Sequence, residues 1–131
     1  MERRVINPWP WSINFGFQQA VETTNATRTL YCSGQTAANE KGDLQAAGDM
    51  GRQLLISWEN LETLLKESGY VAKDVTRLTV YVTDVDQFMG AYAPLGERMA
   101  AAGVRTAMTL IGVDRLAFEG QVCEIEATAA R

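Results

Sequence analysis

The sequence contains no histidine and only two cysteines, Cys32 and Cys123, which are not in a CxxC spacing. The missing histidine excludes Ser-His-Asp and Cys-His catalysis, and it also removes the commonest metal ligand. We therefore expect neither a metal site nor a cofactor. A disulfide between the two cysteines is possible on count alone, but two buried free thiols are the interpretation we favour, because no secretion signal is evident.

Long apolar runs and basic runs are missing as well. No stretch approaches the ~20 apolar residues that cross a membrane, and residues 1–11 lack the apolar core of a signal peptide. The formal net charge of -4, without a basic run, argues against binding nucleic acid through phosphate neutralisation. We expect a cytoplasmic protein that has neither a membrane nor a nucleic acid as a partner.

The chain has the length and composition of one globular domain. It has 131 residues, of which 47% are hydrophobic and 21% are charged. A chain of this length buries roughly two thirds of the surface that its unfolded form exposes. We predict a single domain over residues 1–131, with one core and no linker.

Helical patterns occupy the middle of the chain. From about residue 44 to residue 65, apolar residues recur at spacings of three and four, which predicts an amphipathic helix that ends at Gly69. Asp84 is predicted to cap a second helix, which ends at Gly103. Pro94 should kink or break that second helix.

Strand patterns occupy both ends. We predict an edge strand over residues 3–6, two strands over 17–22 and 29–33 that pair as an antiparallel hairpin, a strand over 75–83 and two strands within 107–129. The order β, β, β, α, β, α, β, β indicates an α+β fold, with the helices on one face of a mixed sheet. An uncovered apolar face would find a partner subunit, so we expect a homo-oligomer.

The last predicted strand carries two carboxylates. Alternate residues of a strand share a face, so Glu124 and Glu126 lie on one side while Cys123 and Ile125 lie on the other. A buried, unpaired carboxylate is costly. The pair therefore either marks a solvated face or points into a polar pocket, and the periodicity does not decide between these.

Five segments together resemble the RidA family, also called YjgF-like, over nearly the whole chain. They are GFQQAVE at 16–22, LYCSGQ at 30–35, VTRLTVYVTDVDQF at 75–88, GVDRL at 112–116 and CEIEATA at 123–129. The resemblance implies a chorismate-mutase-like α+β fold, with a mixed β-sheet and two helices on one face. It also implies a homotrimer with three clefts, each at the junction of neighbouring subunits. The best-studied branch hydrolyses reactive enamines and imines, such as 2-aminoacrylate, to 2-keto acids and ammonia.

This chain departs from the family at the residues that the resemblance places in the cleft. Met108 replaces the arginine that binds the substrate carboxylate, and a thioether cannot make the charge-assisted hydrogen bonds of a guanidinium. Phe17 replaces a tyrosine, and Tyr92 replaces a common asparagine. Arg105 could substitute for the missing arginine, although an odd offset from Met108 sends it to the opposite face of a strand unless a bulge or loop intervenes. Such a cleft should bind a ligand larger or less charged than a simple 2-imino acid.

Other family positions are kept. Glu124 matches the glutamate that positions the attacking water, and Ser33 and Gly34 match the loop whose backbone lines the cleft. In our first hypothesis, a small molecule other than a simple 2-imino acid is bound and hydrolysed there, with Glu124 as base or as the group that orients water. The alternative for Glu124 is a structural acid paired with an arginine such as Arg115.

Two further functions stay open. One is a 2-imino acid deaminase in which Arg105, or an arginine of a neighbouring subunit, holds the carboxylate. The other is a non-catalytic module that binds a ligand. Ribonuclease and translation-inhibitor labels also attach to the family, but an acidic chain without histidine gives them little support.

Overall fold

The computed structural model describes residues 1–131, which form six strands, three α-helices and two short 3₁₀ helices. The strands are β1 (Glu2–Ile6), β2 (Ala20–Thr24), β3 (Thr29–Tyr31), β4 (Val75–Val82), β5 (Ala107–Gly112) and β6 (Cys123–Ala130). The α-helices are α1 (Met50–Glu67), α2 (Val85–Ala91) and α3 (Ala93–Ala101), and the 3₁₀ helices span Pro10–Phe15 and Ala72–Asp74. None of the helices combines the length and the apolar character that a membrane-spanning segment requires.

The strands form two sheets. A four-stranded sheet has the order β3-β6-β4-β5, and β1 pairs with β2 in a separate two-stranded sheet. Only β4 and β5 are parallel, while β6 is antiparallel to both β3 and β4. A parallel pair needs a long crossover connection, which α2 and α3 provide. The predicted α+β fold with a mixed sheet is confirmed.

The predicted hairpin between the second and third strands is wrong. β2 pairs with β1, and β3 pairs with β6. The residues between them form bends, and the backbone N–H groups of Thr27 and Arg28 both donate to the carbonyl of Arg131, at 3.0 Å. The turn residues therefore carry the chain from one sheet to the other, beside the end of β6.

Helix α1 begins later than the periodicity predicted. Residues 44–49 contain no helix, because Ala46 and Gly48 have positive φ angles of 51° and 75° that a right-handed helix excludes. The helix starts at Met50, where the Asp49 side chain accepts a hydrogen bond from the backbone N–H of Arg52 at 3.1 Å. A side-chain cap of this kind satisfies one of the free N–H groups of the first turn.

Helix α2 begins where the sequence predicted. The Asp84 side chain accepts a hydrogen bond from the backbone N–H of Gln87 at 3.0 Å. The helix ends at Ala91, and α3 begins at Ala93 with Pro94 in its first turn. Pro94 therefore divides the predicted helix in two.

Replacing Asp84 by alanine removes this cap. We expect the free energy of unfolding to fall by about 1 kcal/mol, because one N–H group at the start of α2 loses its partner. Urea denaturation followed by circular dichroism measures the change. Asp84→Ser keeps an acceptor oxygen, so its free energy of unfolding should fall less than that of Asp84→Ala. An equal fall in both variants would contradict a capping role.

The core lies between α1 and one face of the four-stranded sheet, which we call the inner face. Most of its largest fully buried side chains come from α1, β4 and β6, and α3 adds Leu95. Those from α1, β4 and β6 include Leu54, Trp58, Leu61, Leu65, Leu78, Val80, Val82 and Ile125. The predicted helix stripe is thus a core stripe.

The opposite face of the sheet, the outer face, is mainly polar along its two central strands, β4 and β6. Because Leu78, Val80 and Val82 point into the core, the alternate residues of β4 lie on the outer face, and the register places residues of β6 beside them. They are Arg77, Thr79, Tyr81, Glu124, Glu126 and Thr128. The edge strands β3 and β5 add exposed Tyr31 and Ile111 to the same face. The outer face is thus less apolar than expected, and the homo-oligomer stays a prediction.

Candidate functional site

Glu124 lies half-buried on the outer face, opposite Tyr81 of β4. Its neighbour Glu126 accepts a hydrogen bond from Tyr81 Oη at 2.7 Å. The carboxylate of Glu124 has no such partner and belongs to none of the three ion pairs of the chain. It is therefore free to accept a proton or a hydrogen bond from a bound molecule.

Gly34 lies directly against this carboxylate. A Cβ atom added at position 34 would stand 2.0 Å from Glu124 Oε1 and 2.6 Å from its Cδ. Backbone hydrogen bonds fix the loop here, since Gln35 N–H donates to the carbonyl of Ile125 at 2.7 Å and Ile125 N–H donates back at 2.9 Å. Only glycine leaves room for the carboxylate against the loop. Exposed Ser33 directly precedes Gly34 in this loop.

The predicted alternative, an ion pair between Glu124 and Arg115, is absent. Arg115 follows β5 and lines a separate pocket, together with Asp114 and Glu119. No arginine approaches Glu124 within ion-pair distance.

A second group of predicted site residues lines an apolar cavity of about 180 Å³. Met108 is paired in register with Leu78, whose side chain lies in the core, so Met108 is on the inner-face side of β5. All seven lining residues are hydrophobic: Phe15, Phe17, Phe88, Met89, Tyr92, Met108 and Leu110.

Within one copy of the chain the two groups are on opposite faces of the sheet. Glu124 is registered with Tyr81 and Met108 with Leu78, and those two β4 residues are three positions apart. An odd separation on a strand places side chains on opposite faces. The structure therefore brings Gly34 to Glu124, and Phe17 and Tyr92 to Met108, but it does not unite the two groups.

Arg105 joins neither group. It is exposed, precedes β5 and lines a different pocket with Arg3, Lys73 and Asp74. Within one chain, Arg105 does not substitute for the arginine that Met108 replaces.

Tyr92 is the most unusual residue of the cavity wall. Its hydroxyl is buried and has no hydrogen-bond partner, and burial raises the pKa of the phenol. Its ring packs on Phe88 with the ring centroids 5.0 Å apart. A buried hydroxyl without a partner is uncommon and requires an explanation.

Sequence reasoning missed four residues of the cavity wall: Phe15, Phe88, Met89 and Leu110. The signal for three of them was present. Phe88 and Met89 stand four and three positions before Tyr92 in the helical segment, and Leu110 stands two positions after Met108 on a strand, so each shares a face with a residue already singled out.

The thiols do not supply a nucleophile. Both cysteines are free, which confirms the prediction of free thiols over a disulfide. Burial raises the pKa of the Cys123 thiol to about 11, and it raises the pKa of half-buried Cys32 as well. A thiol rather than a thiolate is weakly reactive at neutral pH. No group of three or more acidic, cysteine or histidine side chains is arranged to hold a metal ion.

These features define an α+β protein of the chorismate-mutase-like kind. The family model described as Endoribonuclease L-PSP matches residues 13–131. The chain belongs to this family, which the Rid and YjgF-like proteins share, and the resemblance that the five sequence segments predicted is confirmed.

Solved structures and a curated relative agree with this assignment. A Rid-family protein of unknown function from Yersinia pestis is 36% identical, with 100% of both chains covered and a TM-score of 0.90. The YjgF gene product of E. coli is 26% identical over 96% of this chain and 90% of that chain, with a TM-score of 0.71. A RutC family protein of Aquifex aeolicus is 26% identical over 115 residues, 88% of each chain.

Proposed function

We propose that this Rid-family protein binds a small organic molecule in a cleft shared by two copies of the chain and hydrolyses an enamine or imine there. The observation that carries the proposal is the free carboxylate of Glu124 against the Gly34 loop. A half-buried carboxylate without a partner is costly to keep unless a ligand or water uses it.

The chemistry requires one group that moves a proton. Water adds to the C=N carbon of an imine, and the resulting carbinolamine loses ammonia to leave a carbonyl compound; an enamine first tautomerises to the imine. Glu124 accepts one proton from the attacking water as the C–O bond forms, while the imine nitrogen takes up one proton from solvent. Glu124 then returns its proton to the nitrogen as the C–N bond breaks and ammonia leaves, and the remaining hydroxyl proton passes to solvent as the carbonyl forms. The reaction consumes one water and needs no oxidant or metal.

Two copies are needed because one copy cannot present Glu124 and Met108 to the same small molecule. The mouth of the apolar cavity supports this, since Phe15 is 50% exposed and Met89 55% exposed. Clustered apolar exposure of this kind marks a surface that another molecule covers. A second copy that lays its outer face over the cavity would unite both groups, as in the homotrimer that the family resemblance implies.

Mixing two inactive variants tests the shared cleft. Glu124→Gln removes the proton acceptor, and Met108→Trp fills the cavity. Co-expressed in equal amounts in a homotrimer, they should recover roughly a quarter of the wild-type activity, because each cleft draws its two halves at random from neighbouring subunits. Ammonia release from an enzymatically generated imine is the measurement.

The control for this experiment is the same pair purified separately and mixed without subunit exchange, which should stay inactive. If size-exclusion chromatography shows mixed oligomers after co-expression but no activity is recovered, a shared cleft is contradicted.

The choice of substrate separates this proposal from a 2-imino acid deaminase. Freshly generated 2-aminoacrylate carries a carboxylate, whereas benzaldimine, formed by an amine oxidase from benzylamine, is an uncharged imine. We expect acceleration over buffer for benzaldimine and little for 2-aminoacrylate, because Met108 offers no charge to a carboxylate. The opposite preference, lost in Arg105→Ala, would favour the deaminase, and ligand binding without turnover of either would favour a binding module.

A further inference from the structure

We infer that the cavity between α2 and β5 takes an uncharged ligand with a single aromatic ring that carries one hydroxyl or similar hydrogen-bonding group. This inference deepens the proposed function by naming the chemical class of its ligand. It rests on that proposal only for the statement that the cavity is part of the reacting site.

The size of the cavity sets the size of the ligand. Its volume is about 180 Å³. A dry apolar cavity of about 150 Å³ is large enough to hold benzene. One six-membered ring with one substituent therefore fits, and a fused or branched structure of twice that volume does not.

The walls favour an aromatic ring. Four of the seven lining side chains are aromatic: Phe15, Phe17, Phe88 and Tyr92. Trp11 stands edge-on to Phe15 and Phe17, with the ring centroids 6.1 and 5.8 Å apart, and supports both rings from outside the cavity. Edge-to-face contacts of this geometry hold aromatic side chains in place, so the walls are formed before a ligand arrives.

The lining also excludes a charge. It contains no charged side chain, and Arg105, the arginine that the sequence offered for this site, lines another pocket. A carboxylate or ammonium group inside would lose its hydration without gaining a partner. The part of the ligand that enters the cavity is therefore neutral.

The unpartnered hydroxyl of Tyr92 accounts for the one polar group of the ligand. It is buried beside Gly16, where an added Cβ would stand 3.3 Å from it. Gly16 is the residue between Phe15 and Phe17, so the hydroxyl lies close to the backbone that joins two residues of the wall. A ligand hydroxyl that reaches between them would give Tyr92 the hydrogen bond that it lacks in the free protein.

Three probes of similar size test the inference on the full-length protein: phenol, toluene and benzoate, with binding followed by ligand-observed NMR. We expect phenol to bind about tenfold more tightly than toluene, a ratio typical of one hydrogen bond to a buried group, and benzoate to show no saturable binding. In Tyr92→Phe, phenol and toluene should bind equally well. Benzoate binding as tightly as phenol, or an unchanged ratio in Tyr92→Phe, would overturn the inference.

Cavity-filling variants locate the probe. Met108→Trp should abolish phenol binding, whereas Val71→Trp, at an exposed apolar residue outside the cavity, should leave it unchanged. If the side chain of a second copy already fills the cavity, the wild type binds no probe and Met108→Trp changes the oligomeric state in size-exclusion chromatography, which also overturns the inference.

The two proposals fail separately. Turnover of an uncharged imine such as benzaldimine without phenol binding would leave the proposed imine hydrolysis standing and remove the cavity as the binding site of an aromatic ring. Phenol binding with the expected Tyr92→Phe effect, but without hydrolysis of any imine, would keep the ligand class and remove the catalysis.

Discussion

Replacing Glu124 by glutamine is expected to lower kcat/KM for imine hydrolysis by about 10² to 10⁴-fold, the usual contribution of a positioned general base. Glutamine keeps the shape of the side chain and can still donate or accept a hydrogen bond. It cannot take a proton from water, so the loss measures proton transfer and leaves packing unchanged. Steady-state ammonia release, compared with the same imine in buffer, gives the ratio.

Glu126→Gln is the matched control, because it makes the same chemical change on the same face of β6, two residues along the strand. Glu126 accepts a hydrogen bond from Tyr81 Oη, and a glutamine oxygen can still accept it. We expect its activity to stay within about threefold of wild type, as for a residue outside the reacting centre. Unchanged turnover in Glu124→Gln would remove Glu124 from the chemistry. Equal losses of activity in both variants would indicate that the overall negative charge of the outer face matters, and not the individual carboxylate of Glu124.

Local sequence signals predicted the elements of the fold well and their long-range pairing poorly. The cap at Asp84 and the break at Pro94 depend on chemistry within one helical turn, which the sequence displays directly. The partner of β3 is β6, which lies about a hundred residues later in the chain. A turn-forming cluster predicts a change of chain direction but does not indicate which strand will be the partner. The start of α1 was predicted too early because Ala46 adopts a positive φ angle. Alanine rarely does so, and nothing in the sequence indicates it.

The site was predicted as residues and not as an arrangement. The contact between Glu124 and Gly34 follows from family positions, and the structure places the two side by side. Glu124 and Met108 lie on opposite faces of the sheet because side chains alternate along a strand. This could not be predicted without the register of β4 with β5 and β6. The aromatic wall also depends on the 3₁₀ helix over Pro10–Phe15, which was not predicted because no apolar periodicity marks so short a helix.

Replacing Gly34 by alanine should abolish most of the activity while leaving the fold intact. The new Cβ would lie 2.0 Å from Glu124 Oε1, so the carboxylate must turn away. That displacement is cheap, because it moves the end of a flexible side chain, and the φ angle of Gly34 is one that alanine can adopt. We expect the free energy of unfolding to change by less than about 1 kcal/mol and kcat/KM to fall about 10²-fold, the cost of misplacing a reacting group by roughly 1 Å.

Gly51→Ala in α1 is the control, since its nearest new neighbours would lie at 3.7 and 3.9 Å, in ordinary contact. It should be slightly more stable than wild type and equally active, because alanine has the higher helix propensity. The double variant Gly34→Ala with Glu124→Gln decides the mechanism. If Gly34 matters only by seating the carboxylate of Glu124, the double variant loses no more activity than Glu124→Gln alone, because both changes remove the same interaction. Losses that multiply would show that the loop at Gly34 contacts the substrate independently of Glu124.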